Sequence, residues 1–137
     1  MRVPARAKGR ILIVSGEGGE RFRLERVLAR AGHEVACAES GEVALQRITR
    51  ERFDLLIAVE QLVGLDGWEL VRTLAALPVR PAAIVVSNSP AREARRAASE
   101  HGAHAYLARP LRILELLAAC DSGIREAQQR SGRETVQ

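Results

Sequence analysis

The chain has 137 residues, 47% hydrophobic and 28% charged, which suits one globular domain with a real core and excludes a disordered or fibrous protein. Aromatic residues make up only 3%, so the core has to be aliphatic. The formal net charge is +4, and all of the excess lies in residues 1–10, where Arg2, Arg6, Lys8 and Arg10 meet no acid. A nucleic-acid binder concentrates bases on a folded face; here they lead the chain as an arm, so a solubilising terminus is expected and direct nucleic-acid contact is not. No run reaches the roughly 18 apolar residues of a membrane span and no signal-peptide pattern opens the chain, which points to the cytoplasm and away from a membrane. Cys37 and Cys120 stand in apolar stretches outside any CxxC or Cys/His cluster and are expected as reduced, buried thiols.

Five short apolar runs recur along the chain: Ile11–Val14, Val35–Ala38, Leu55–Val59, Ala83–Val86 and Ala105–Leu107. Most are continuous rather than alternating, as expected of strands buried on both faces of a parallel sheet. Helical patterns separate them. Phe22, Val27, Leu28 and Ala31 share one face of the first, with Gly32 placed to end it in a left-handed cap. Ser40 can cap the second, which carries Val43, Ala44 and Ile48 inward. Asp66 and Glu69 form a capping-box-like start for the third, with Trp68, Leu70 and Leu74 as its apolar face. Ser89-Pro90 reads as an N-cap followed by a proline at the first helical position of the fourth, and Gly102 closes it. Leu111, Leu114, Leu117 and Ala118 mark the fifth. Strict β-α alternation predicts an α/β fold, a doubly wound five-stranded parallel sheet with helices on both faces. The expected organisation is a flexible basic arm over residues 1–9, one domain over 10–124, and a helix end with a flexible tail over 125–137.

Ligands of such a sheet bind where the strands end. The residues to read are therefore Ser15, Gly16 and Glu17, then Glu39 and Ser40, Val59 and Glu60, Ser87 and Asn88, and Ala108, Arg109 and Pro110. Gly16, Gly18 and Gly19 lack the spacing of a dinucleotide or P-loop fingerprint, so a flexible turn is favoured over a phosphate cradle. His33, His101 and His104 are scattered, without metal-ligand spacing.

Several segments, taken together and in order, carry a resemblance over residues 10–120. They are Arg10-Ile11-Leu12-Ile13-Val14, Ala38-Glu39-Ser40-Gly41-Glu42-Val43-Ala44-Leu45, Phe53-Asp54-Leu55-Leu56, Gly64-Leu65-Asp66-Gly67-Trp68-Glu69-Leu70 and Gly102-Ala103-His104-Ala105-Tyr106-Leu107-Ala108-Arg109-Pro110. This pattern resembles the response-regulator receiver domain of bacterial two-component and phosphorelay signalling. The resemblance implies a flavodoxin-like (βα)5 fold with strand order 2-1-3-4-5. It also implies a site in which two acids after the first strand and an aspartate ending the third hold Mg²⁺, the aspartate taking a phosphoryl group from a histidine kinase. A hydroxyl after the fourth strand and a lysine after the fifth would bind the phosphoryl oxygens.

Carried over residue by residue, the acid pair falls on Ser15 and Gly16 and the acceptor on Val59, counting either from Asp54 or from Asp66-Gly67. The hydroxyl position is Ser87, the lysine position Arg109, and Pro110 follows it; the resemblance implies a cis Arg109-Pro110 bond. Valine has no nucleophilic oxygen and the metal loses all three carboxylates, so neither phosphorylation at Val59 nor Mg²⁺ binding is expected. Glu60, one residue on, should point to the opposite face of the strand and away from the site. Arg109 needs a carboxylate or water, and Glu17 or Glu60 is the expected partner. Ser87 and Tyr106 match the family's switch pair, either as a live switch driven by a partner or because Tyr106 simply packs there. The surface of the fourth helix, fifth strand and fifth helix, with Arg92, Arg95, Arg96, Glu100, Arg112 and Glu115, is either a homodimer and partner interface or an ordinary solvated face. The expectation is a non-enzymatic, phosphorylation-independent signalling module that acts by protein-protein interaction, with a signalling protein or histidine kinase as partner. The alternatives are a small-ligand-binding flavodoxin-like domain and a receiver phosphorylated at a non-standard residue.

Overall fold

Ten elements alternate along residues 7–135, the part of the chain that the computed structural model describes, with side chains described through Ser131. They are β1 (Arg10–Val14), α1 (Gly18–Arg30), β2 (Glu34–Ala38), α2 (Gly41–Arg50), β3 (Leu55–Val59), α3 (Gly67–Ala75), β4 (Ala82–Ser87), α4 (Ala91–His101), β5 (Ala105–Ala108) and α5 (Ile113–Thr135). The sheet order is β2-β1-β3-β4-β5, with every neighbouring pair parallel. The expected fold class and strand order are thus those of the molecule, and each strand lies within one residue of its apolar run at either end.

Alternation along the strands divides the core in two. Leu55, Ile57 and Val59 of β3 and Ala82, Ile84 and Val86 of β4 pack with Leu24 and Leu28 of α1 and with Leu116, Cys120, Ile124 and Ala127 of α5. Leu56 and Ala58, with Ala83 and Val85, face Ala44 and Ile48 of α2, Trp68, Leu70, Val71 and Leu74 of α3, and Ala98 of α4. This sorting follows from side chains pointing alternately up and down along a strand.

Helix ends behave largely as their capping residues dictate. The Ser40 side chain accepts from Val43 N, and Asp66 accepts from Glu69 N, each satisfying a donor that the first turn leaves free. Gly32 and Gly102 both adopt positive φ just beyond their helices, where a side chain would be strained. The fourth helix departs from expectation: Pro90 occupies the N-cap and no side chain caps it, because Ser89 is bonded elsewhere. Some helix faces are also rotated from those expected. Phe22 is 57% exposed and Val43 37%, while Leu24 and Leu28 fill the α1 core positions; Leu114 is 74% exposed and Leu116 replaces it inside. In each case the amphipathic stripe is defined by the residues four apart that reach the sheet, not by every apolar residue in the window. Cys37 is half-buried rather than buried; burial and the neighbouring Glu25 carboxylate push its thiol pKa up, which disfavours the thiolate.

The described residues near both ends of the chain pack onto the domain. Ala7 N donates to Asp121 Oδ1 (2.5 Å), Lys8 Nζ to Ala31 O (2.5 Å), and Glu34 N to Gly9 O (3.1 Å). These bonds seat residues 7–9 against α1, β2 and α5. The fifth helix continues to Thr135, through most of the stretch read as a tail; Arg2 and Arg6 lie outside the described residues. At the opposite edge of the sheet from the strand ends, Arg10 and Arg47 both pair with Glu51 (2.6 and 2.8 Å) and cover Phe53 at 4.5 and 5.6 Å. The two guanidinium groups, Arg47 before Arg10, lower the Glu51 pKa to about 2. Among the described residues no helix is long and apolar enough to cross a membrane.

Gly67 has a structural duty at the strand ends. A Cβ built there would run into the carbonyl oxygen of Val59 and lie 3.1 Å from Glu60 Cα, and both obstacles are backbone. The start of α3 therefore rests directly on the end of β3. Gly67→Ala is expected to destabilise the fold by about 2 kcal/mol through overpacking, measured as a lowered urea midpoint.

Candidate functional site

The carboxyl ends of β1, β3 and β4, with the segment after β5, surround a cleft of about 440 Å³. Ser15, Gly16, Glu17, Glu20, Glu39, Val59, Glu60 and Arg109 are among its lining residues. Val59 sits at its floor, 6% exposed, and belongs to the apolar cluster on the α1 and α5 face. Its side chain offers the cleft no oxygen.

Two polar assemblies flank it. In the first, the Arg109 guanidinium donates two bonds to one carboxylate, to Glu20 Oε2 at 2.5 Å and Oε1 at 3.1 Å. The buried Ser15 hydroxyl donates to the same Glu20 Oε1 at 3.1 Å. Arg21 closes the turn by donating to Ser15 O at 2.5 Å. The expectation that Arg109 pairs with a carboxylate therefore holds, but the partner is Glu20, not Glu17 or Glu60. Glu17 is engaged as the N-cap of α1, accepting from Gly19 N (2.8 Å) and Glu20 N (2.7 Å). Those two backbone bonds lower its pKa. Helix formation thus begins at Gly18, so Gly18 and Gly19 belong to the first turn of α1, while Gly16 stays in the connection before the cap. Once Glu17 caps the helix, Glu20 lies four residues before the buried Leu24 on the inward side, where it meets Arg109.

The second assembly is built on Glu60. Register pairs Val59 with Val86, so Glu60 and Ser87 stand side by side on the other face of the sheet, the side of Trp68. Glu60 does turn away from the Val59 face, yet it does not leave the site: its carboxylate closes over the end of β4. Ser87 Oγ donates to Oε2 at 2.8 Å, Asn88 N to Oε2 at 3.1 Å, Ser89 Oγ to Oε1 at 2.8 Å and Trp68 Nε1 to Oε1 at 3.0 Å. Burial raises the Glu60 pKa, but the bonds from Trp68, Ser87, Ser89 and Asn88 together outweigh it and leave the carboxyl below its ordinary value.

Among the other expected site residues, Ser87 is 1% exposed and bonded into this second assembly, on the opposite face from Val59. Tyr106 is half-buried and packs against the apolar cluster of α2, α3 and α4. Pro110 follows Arg109 through a cis bond and lines, with Arg109, Leu24, Val27, Leu111 and Ile113, a neighbouring groove of about 620 Å³. Arg92, Arg95, Arg96, Arg112 and Glu115 are all exposed, with Arg96 bonded to Glu100 at 2.9 Å. His104 is spent on α5, between Glu126 (2.7 Å) and Ser122 (2.9 Å). Sequence reasoning missed Glu20 and Ser89. The capping preference of the turn after β1 was the available signal for Glu20; the Ser89-Pro90 pair marks Ser89 locally only as a cap, not as a partner of Glu60.

Comparison with known proteins places this geometry in a family. The sequence profile of the response regulator receiver domain matches residues 11–121. The chain is 31% identical to the response regulator MprA of Mycobacterium leprae, covering 93% of this chain and 56% of that protein. It is 29% identical to the sensory/regulatory protein RpfC of Xanthomonas campestris pv. campestris, covering 93% of this chain but 18% of RpfC. The chain thus spans about half, or much less, of these curated relatives. Among solved structures, a response regulator from Chloroflexus aurantiacus aligns with a TM-score of 0.81 at 32% identity, over 87% of this chain and 99% of that one. A CheY-like receiver domain from Methanospirillum hungatei aligns with a TM-score of 0.79 at 25% identity, over 90% and 98%.

Both assemblies can be tested by stability. A double-mutant cycle on Glu20→Ala and Arg109→Ala is expected to give a coupling of about 1 kcal/mol, shrinking in high salt, because the pair is bidentate yet partly exposed. For Glu60, a folded pKa below the ordinary 4.5 means stabilisation that is complete above that value and lost as pH falls through the folded pKa. Glu60→Gln should therefore lower the melting temperature at neutral pH and flatten its decline in acid.

Proposed function

The chain belongs to the response regulator receiver domain family, and from that premise we propose that it is a phosphorylation-independent receiver of a two-component or phosphorelay pathway, acting by protein-protein contact. The observation that carries this is the residue ending β3: Val59, with Ser15 and Gly16 across the cleft. Phosphoryl transfer needs a nucleophilic oxygen in line with the phosphorus and a cation to neutralise the developing charge. Valine supplies no oxygen. Magnesium is a hard ion that takes oxygen ligands in octahedral array, and three of the carboxylates around the cleft are engaged otherwise, while Glu39 stands exposed at its edge. Glu17 caps α1, Glu20 is paired with Arg109, and Glu60 holds Trp68, Ser87, Asn88 and Ser89. Among the described residues no group of three or more His, Cys, Asp or Glu side chains is placed to hold a metal. This donor set does not fit magnesium, which supports a module that neither binds the ion nor catalyses a reaction.

Contact with a histidine kinase or another signalling protein is the work such a module can still do. The exposed Arg92, Arg95 and Arg96 of α4, with Arg112 and Glu115 near the start of α5, form the surface assigned to partner docking or to an isologous dimer in the cytoplasm. A patch carrying both charge signs can pair with a second copy of itself across a two-fold axis.

Incubation with Mg²⁺ and acetyl phosphate should leave the intact mass unchanged. Adding Mg²⁺ and beryllofluoride should leave the amide chemical shifts around the cleft unmoved. A mass increase of one phosphoryl group, or shifts at Gly16, Asn88 and Arg109, would overturn the assignment. Light scattering across a concentration series checks the dimer, and a monomer at the highest concentration removes it.

A further inference from the structure

We infer that the Glu60 carboxylate is a permanent internal ligand for the turn between β4 and α4, standing in for an anion that would otherwise come and go there. This rests on the proposed phosphorylation independence and adds how the turn is held without a phosphoryl group.

Three consecutive residues of the turn engage one carboxylate: Ser87 Oγ, Asn88 N and Ser89 Oγ all donate to Glu60, at 2.8, 3.1 and 2.8 Å. Trp68 Nε1 from α3 adds a fourth bond at 3.0 Å. Each carboxylate oxygen then accepts two bonds, which fills the roughly four acceptor sites of an ionised carboxylate. The single hydrogen of the Ser87 hydroxyl is spent on Glu60, while its oxygen accepts from Ser89 N at 3.0 Å. It has no hydrogen left to offer an anion in the cleft.

A second observation points the same way. Helix α4 has no side-chain cap: Pro90 sits at its N-cap, and Ser89, the polar residue next to the helix start, faces Glu60 instead. The chain enters α4 from a turn tied to β3 and α3 through a single anion. A ligand shifts a conformational equilibrium only by the difference in its affinity for the two states. Because this ligand is covalently part of β3's end, its local concentration does not vary, and the turn and the start of α4 stay in the Glu60-bound state without any signal.

The test uses the full chain and two variants, Glu60→Ala and Glu60→Gln. Gln keeps the size but turns an NH₂ donor into a ring of donors, so it disrupts the contact with less risk to folding. Amide hydrogen exchange and amide chemical shifts are read at Asn88, Ser89 and the first turn of α4, with Leu12 and Leu56 in the central strands as controls. Losing a hydrogen bond to a charged acceptor corresponds to exchange on the order of 10- to 100-fold faster at Asn88, with the controls unchanged. Equal exchange and unmoved shifts at Asn88 and Ser89 in folded Glu60→Gln would overturn the inference, whether or not Glu60→Ala folds. Beryllofluoride with Mg²⁺ separates the two claims. A responding wild type overturns phosphorylation independence and this inference with it. A silent wild type whose variants leave the turn unchanged overturns the internal ligand alone.

Discussion

Side chains of a strand alternate between its two faces, and at the end of β3 that constraint sets the character of the whole site. Val59 is directed to the α1 and α5 side and seals an apolar cluster. Glu60 is directed to the α3 and α4 side, where β4 in register brings Ser87 beside it. One position carries no chemistry and the next carries a saturated carboxylate. Exchanging the two residues would put a charge among Leu24, Leu116 and Val86, where an unpaired carboxylate is strongly disfavoured.

The opposite wall of the cleft is organised by a different carboxylate. Glu17 satisfies the first amides of α1, and this leaves Glu20 to meet Arg109 and Ser15. The pair joins the start of α1 to the segment after β5. Arg109 suits this because a planar guanidinium matches a carboxylate through two bonds, which a lysine ammonium cannot do. The cleft thus lies between two closed polar assemblies, in which the charges of Glu20 and Glu60 are already answered from within the chain.

Such closure is what the proposed phosphorylation-independent module requires. The sheet itself supports this: β1, β3 and β4 are buried over nearly their whole length, so the strand ends are held rigidly. The turns that they carry inherit that rigidity only where a side chain ties them down, as Glu60 does for residues 87–89.

The fold was legible from the amino-acid sequence because its signals are local. Continuous apolar runs, capping serine and aspartate residues and terminal glycines each report on a few neighbouring residues, and the apolar runs repeat five times in alternation with helical patterns. The residues at the strand ends were legible for the same reason: Val59, Ser15, Gly16 and Arg109 are positions that counting along the chain can reach. What the sequence left open was pairing between elements. Glu20 and Arg109 are 89 residues apart, and Glu60 and Ser87 are 27 apart; only the sheet order and register bring each pair together. Helix faces such as those of Phe22 and Leu114 were decided in the same way, by the rotation that lets each helix bury its best-fitting row against the sheet. Local chemistry determined which groups are present and what they cannot do, while tertiary packing decided which donor each carboxylate meets, because hydrogen bonds act over about 3 Å and recognise proximity in space, not in sequence.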